Sequence, residues 1–110
     1  MKKDILTPTP THRFVLVRFL GFLQRLTNHR ETQVEIQGET TVLELLTILG
    51  KRYGPDFTSA IFRAPGEVQT YLSIFLDDEE VPVSEPISAD QSRARKVELL
   101  ILPVFEGGSQ

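Results

Sequence analysis

Phe14-Val15-Leu16-Val17-Arg18-Phe19 and Val97-Glu98-Leu99-Leu100-Ile101-Leu102-Pro103-Val104-Phe105 are the most apolar runs of this chain, the first and the last of its regular segments. Successive side chains of a strand point to opposite faces, so a run that is apolar on both alternations reads as a strand covered on both sides. Such strands occupy the centres of sheets and tolerate parallel pairing, which requires a long crossover between them. Everything between residues 20 and 96 is available for that crossover. The simplest sheet therefore sets the first and last strands side by side and parallel.

The intervening segments fill in the pattern. Phe22, Leu23 and Leu26 recur at helical spacing and form a short turn that closes the edge of the core. Thr32-Gln33-Val34-Glu35-Ile36 alternates with period two, a half-exposed strand that ends at Gln37-Gly38. Thr41-Val42-Leu43-Glu44 has the form of a capping box, after which Val42, Leu45, Leu46, Leu49 and Tyr53 mark the buried stripe of a helix. Lys51 and Arg52 sit in its last turn, and Gly54-Pro55 supplies a left-handed cap and a stop. A shorter helix over Asp56 to Arg63, anchored by Phe57, Ile61 and Phe62, ends at Pro65-Gly66. Tyr71 to Leu76 reads as a third strand, joined around Asp77-Asp78-Glu79-Glu80 to a short edge strand at Val81-Pro82-Val83. Residues 84 to 95 are polar and loop-like, and Arg93, Arg95 and Lys96 form a small solvated basic cluster. The four consecutive carboxylates read as a solvated turn, since no ligand loop with a suitably offset glycine surrounds them. No metal site is expected.

The order strand, strand, helix, short helix, strand, short strand, strand, with a parallel central pair, defines an α+β fold. It is a β-grasp, or ubiquitin-like, mixed sheet with one main helix packed on one face. At 110 residues there is room for one domain, which buries roughly two-thirds of its unfolded surface. Residues 1–13, with Thr-Pro-Thr-Pro-Thr, read as a loose arm, 14–105 as the domain and 106–110 as a flexible tail.

If Val15, Val17 and Phe19, with Leu72, Ile74, Leu76, Val97, Leu99 and Ile101, face the helix, then Phe14, Leu16, Tyr71, Phe75, Leu100 and Leu102 face away from it. A single helical layer cannot cover both faces. Either the arm or the loop 84 to 95 folds over the second face, or it is an apolar patch of the kind that receives a partner, which is the expectation here. Val104 and Phe105, which lead into the tail, belong to the same partner-binding set.

Catalytic groups are scarce. The chain has no cysteine, which excludes a disulfide scaffold, a thiolate metal centre and a cysteine nucleophile. His12 and His29 fall in expected loops with no nucleophile or ligand spacing nearby. A formal net charge of −3, from 12 basic and 15 acidic residues, does not favour nucleic-acid binding. Neither a signal peptide nor a membrane span is legible, and a cytoplasmic location is expected. The chain reads as a non-enzyme.

Val15-Leu16-Val17-Arg18-Phe19-Leu20, Thr41-Val42-Leu43-Glu44-Leu45-Leu46 through Lys51-Arg52-Tyr53-Gly54-Pro55, and Leu102-Pro103-Val104-Phe105-Glu106-Gly107-Gly108 stand in order along the chain. Together they resemble the sulfur-carrier branch of the ubiquitin-like proteins, the small subunit of molybdopterin synthase and the thiamine sulfur-carrier protein, over residues 14 to 108. That resemblance implies that the carboxylate of Gly108, preceded by Gly107, is adenylated by an enzyme of the ubiquitin-activating type and converted to a thiocarboxylate. The sulfur then enters a cofactor or metabolite, with molybdopterin-type synthesis favoured. It implies no bound cofactor, since the ATP is consumed by the activating enzyme. The implied partners are that enzyme, a synthase large subunit or other sulfur acceptor, and a metalloprotease. Simple members of the family stop at the second glycine, whereas Ser109-Gln110 follow here, which implies trimming before use. Residues 77 to 95 are also longer and more acidic than the family's compact turn. Two alternatives share the fold: a ubiquitin-like modifier joined through Gly108 to lysine amines, and an interaction module whose tail is inert.

Overall fold

The computed structural model describes residues 12–87 and 95–101. β1 (His12–Leu20) leads through α1 (Phe22–Thr27) to β2 (Glu31–Gln37). The short β3 (Thr40–Thr41) opens into α2 (Val42–Tyr53) and α3 (Pro55–Ile61), followed by a hairpin of β4 (Phe62–Ala64) and β5 (Glu67–Val68). Next come β6 (Leu72–Leu76), β7 (Glu79–Glu80), β8 (Pro86–Ile87) and β9 (Arg95–Ile101). β1 and β9 are the parallel central pair of a sheet ordered β2-β1-β9-β6-β7, with β2 antiparallel to β1 and β6 antiparallel to β9. The two most apolar strands take the two central places, each paired along both edges, but they are not covered on both faces as expected: among the described residues only one face is buried, and Phe14 on the other is exposed.

One face of the sheet carries the core. Val15, Val17, Phe19, Ile74, Leu76, Val97, Leu99 and Ile101 are all buried against the helical layer. Val42, Leu45, Leu46 and Leu49 of α2 meet them with no exposed surface, and each such side chain contributes about 1.5–3 kcal/mol of transfer free energy. Phe19 stacks edge-on to Tyr53 and Phe57, with ring centroids 5.5 and 6.0 Å away. This aromatic triangle ties β1 to both helices.

The start of α2 is fully partnered at its first three amides. Val42 N–H donates to the Glu85 carbonyl and Leu43 N–H to that of Val83, both at 2.9 Å. Glu44 N–H donates to Thr41 Oγ1 at 3.1 Å, while Glu44 Oε1 accepts from Thr41 N–H at 2.9 Å and from the Thr40 hydroxyl at 2.8 Å. The expected capping box is present. Thr41→Ala is expected to cost about 1 kcal/mol in urea unfolding. The Thr41 amide, and then the Thr40 hydroxyl, hold the Glu44 carboxyl below its ordinary value. Its folded pKa thus lies under the unfolded one, so its contribution is present above the unfolded pKa and is lost as pH falls through the folded pKa. Glu44→Gln should flatten that acid limb.

Several boundaries differ from the expected ones. α2 stops at Gly54 as expected, but Gly54, at φ 92° and ψ −171°, is not the expected left-handed cap, and α3 starts at once with Pro55 in its first turn. The two helices approach so closely that a Cβ on Gly50 would lie 2.8 Å from Thr58 Oγ1. α3 ends at Ile61, before Phe62 and Arg63, because Pro65 pushes its predecessor into extended backbone and Phe62–Ala64 pair with Glu67–Val68. The acidic hairpin turns at Asp77 and Asp78 alone, both at positive φ, and Glu79–Glu80 form the return strand in place of Val81–Val83. A two-residue loop with both φ values positive has the twist that a hairpin requires. His12 is the first residue of β1, paired with Gln37, and does not lie in a loop. The loop 84 to 95 contains β8, whose Ile87 is buried and pairs with Thr40. Residues 1–11 of the expected arm lie outside the described residues. Among the described residues no helix is long and apolar enough to cross a membrane.

Candidate functional site

The sheet face turned away from α2 is uncovered by any described element. Phe14 is 51% exposed on it, and Leu16, Phe75 and Leu100 are half-buried. Register places these side chains in rows across the strands. Leu20, Leu100 and Ser73 form the row at one end; Arg18, Glu98 and Phe75 the next; Leu16 and Lys96 a third; Phe14 lies beyond, opposite Glu35. Tyr71 belongs to a turn just before β6 and packs against the core, so it is not on this face as expected. Strand alternation begins only at Leu72.

An ionic ladder crosses the apolar surface. Arg18 reaches Glu98 at 3.6 Å on β9 and Glu31 at 3.9 Å on β2. Arg18 and Glu98 are visible in the sequence as the outward polar positions of two apolar strands, but their pairing depends on a register that periodicity does not supply. Exposed pairs of this kind contribute at most about 1 kcal/mol. Their consequence is geometric: they split the face into a Phe14–Leu16 side and a Leu20–Leu100 side.

β9 runs parallel to β1, and Leu100, next to its last described residue, pairs with Leu20. A Cβ on Gly21 would be 3.9 Å from Leu100 Cδ1, so the start of α1 borders the same corner. In α1, Leu23 and Thr27 point inward and Phe22 is 44% exposed, although the apolar spacing placed Phe22 at the core's edge. With six residues, α1 buries one i, i+4 pair, and Phe22 lies about 100° round from Leu23. The remaining candidates, Leu102, Val104, Phe105, Gly107, Gly108, Ser109 and Gln110, lie outside the described residues.

No family model matches the sequence, and no curated protein matches it. Solved structures do. The small archaeal modifier protein SAMP1 from Haloferax volcanii superposes with a TM-score of 0.71 at 21% identity, covering 83% of this chain and 96% of that one. A Pyrococcus furiosus protein assigned as molybdopterin converting factor, subunit 1, gives a TM-score of 0.64 at 18% identity, covering 84% and 99%. A chain of the Amycolatopsis orientalis BexX/CysO complex gives 0.57 at 18% identity, covering 82% and 97%. The fold is a β-grasp. At these identities the likeness is one of architecture.

Within this β-grasp domain the acidic turn and the basic cluster are one unit, not two solvated loops. Arg95 Nε pairs with Asp77 Oδ2 at 2.5 Å, Lys96 N–H donates to Asp77 Oδ1 at 3.0 Å, and Lys96 Nζ lies 3.1 Å from Asp78 Oδ1. The contact clamps the β6–β7 hairpin to the start of β9. Arg93 lies outside the described residues. Among the described residues no group of three or more His, Cys, Asp or Glu side chains is placed to hold a metal. His29 is exposed, its ring 5.9 Å from that of Tyr53. On the helical side a groove of about 520 Å³ runs past Thr47, Thr58, Phe62 and Pro65. Its threonine hydroxyls already donate to backbone carbonyls, Thr47 to Leu43 and Thr58 to Gly54. The groove offers shape with little directed polarity.

Proposed function

We propose that this β-grasp domain is a sulfur carrier that presents the carboxylate of Gly108, once Ser109-Gln110 have been removed, to an adenylating enzyme. A carboxylate oxygen attacks the α-phosphorus of ATP and pyrophosphate leaves. A sulfide-level nucleophile then attacks the acyl carbon, the C–S bond forms, the bond to AMP breaks, and a thiocarboxylate results. The domain contributes no reacting side chain. It supplies a docking surface and a stalk: Pro103 to Gly108 spans up to roughly 17 Å when extended, and glycine lets backbone enter a channel too narrow for a Cβ. Holding the terminal atom in place converts an encounter into a positioned reaction.

The observation that carries this reading is the direction of β9. Its last described residues lie where Leu20 and Leu100 form an apolar row on the open face, and the sequence runs from there to Gly107-Gly108. Similarity to a protein assigned as a molybdopterin converting factor subunit and to a chain of a two-protein complex supports a carrier that works bound to an enzyme. A metalloprotease that trims the tail, and a synthase subunit that accepts the sulfur, complete the proposed set of partners.

The likeness to SAMP1, named as a modifier, favours one second reading, conjugation of Gly108 to lysine amines. Mass spectrometry on the protein from its native cells separates the two. A chain ending at Gly108 with one oxygen replaced by sulfur supports the carrier, and diglycine remnants of this chain on other proteins' lysines support the modifier. A population with Ser109-Gln110 wholly retained overturns both.

A further inference from the structure

Charge is unevenly placed over the described residues. Near the described end of β9, Arg25 in the last turn of α1 and Arg30 in the turn after it are exposed. Neither forms an ion pair among the described residues. Two adjoining concavities of about 200 and 380 Å³ meet there, sharing Gln24 and Arg30. Arg18 lines the first and Arg25, Asn28 and His29 the second, and no carboxylate of a described residue lines either. Arg18 is offset by Glu31 and Glu98, so Arg25 and Arg30 carry the unbalanced charge. The acidic turn lies at the far edge of the sheet and at the opposite end of the strands, beside the start of β9. In a chain of net charge −3, this basic corner runs against the overall sign.

We propose that the basic corner docks against a carboxylate-rich rim surrounding the channel of the activating enzyme that receives the tail. The inference rests on the carrier reading above and adds the chemistry of the partner surface. Three features support this occupant. Leu20, the register partner of Leu100 near the last described residue of β9, lines the corner with Arg30, and the sequence continues from Ile101 to the tail. Leu20 lines the first concavity and Leu100 lies beside it in register, which gives the arrangement of an interface, an apolar centre with charged donors at its margin. Guanidinium groups present paired N–H donors that match carboxylates. Opposed poles also orient the encounter, since a dipolar domain approaches an acidic mouth with its tail foremost. A nucleic-acid partner fits less well, because the arginines form one corner and no stripe, and the net charge repels a phosphate backbone.

The test uses the ubiquitin-activating-type adenylating enzyme encoded in the same genome and the chain ending at Gly108. Binding without ATP and ATP–pyrophosphate exchange are both measured at about 0.05 M and about 0.3 M KCl. Arg25→Glu/Arg30→Glu is expected to raise Kd and KM at least tenfold at the lower salt, with kcat within about twofold, and to remove most of the salt dependence. Arg30→Gln gives a smaller rise in the same direction. Arg63→Glu, the same charge change per residue on the helical side, leaves both constants within about twofold. Equal effects of Arg30→Glu and Arg63→Glu, or unchanged constants in the double variant, overturn the basic corner while normal exchange leaves the carrier reading standing. Salt-dependent, arginine-dependent binding without exchange overturns the carrier reading and keeps the corner. A wild-type chain that does not bind this enzyme overturns both.

Discussion

Removing Gly107 and Gly108 together is expected to abolish ATP–pyrophosphate exchange and leave the fold as it is. Among the described residues the buried apolar core runs from Val15 to Ile101, and the two glycines removed would take no side chain from it. Stability should therefore stay within about 0.5 kcal/mol of wild type. Activation, in contrast, needs a carboxylate at one place. Loss of two residues withdraws that atom by up to about 7 Å, far beyond the tolerance of a near-attack geometry, where a misplacement of about 1 Å already costs about a hundredfold. Gly108→Ala is the informative comparison. It retains the carboxylate and adds one methyl group, so it should reduce the rate through the channel's width without removing the reacting group. A doubly truncated chain that exchanges pyrophosphate at the wild-type rate would place the reacting carboxylate elsewhere and end the carrier reading.

Elements whose information is local were legible from residues alone. Val42, Leu45, Leu46 and Leu49 share a 3.6-residue period, and Thr41 stands three residues before Glu44, so α2 follows from one window of the chain. The central pairing of β1 and β9 is a long-range contact, yet it too was readable, because strands apolar on both alternations suit parallel pairing at the centre of a sheet, even though one of their faces is open. What was missed depends on partners distant in sequence. Ile87 is a lone apolar residue with no period to announce it, and its burial follows from pairing with Thr40. The Asp77–Arg95 clamp joins segments that each look solvated when read separately. Arg18 interrupts an apolar run, but its position between Glu31 and Glu98 requires the register of three strands. Tyr71 and Phe22 failed for a common reason: each lies at the end of an element, where alternation or helical phase no longer determines direction.

The open face was inferred from alternation, and adjacent residues of β9 provide its sharpest test. Leu99 has no exposed surface and pairs with Phe19 and Ile74 inside the core. Leu100, the next residue, lies half-buried between Leu20 and Ser73 on the opposite face. Leu99→Asp places an unpaired carboxylate among apolar side chains and is expected to destabilise the domain by more than about 4 kcal/mol, with loss of NMR dispersion. Leu100→Asp leaves the carboxylate within reach of water, at a stability cost of about 1 kcal/mol. Its cost to docking is larger, because an apolar contact near the centre of an interface contributes about 2 kcal/mol or more, a thirtyfold loss in Kd for the activating enzyme. Phe75→Asp should behave in the same way, weakened to the extent that Glu98 and Glu80 already make its row polar. Partner binding that survives Leu100→Asp and Phe75→Asp would move docking off this face, and unfolding by Leu100→Asp would make it part of the core.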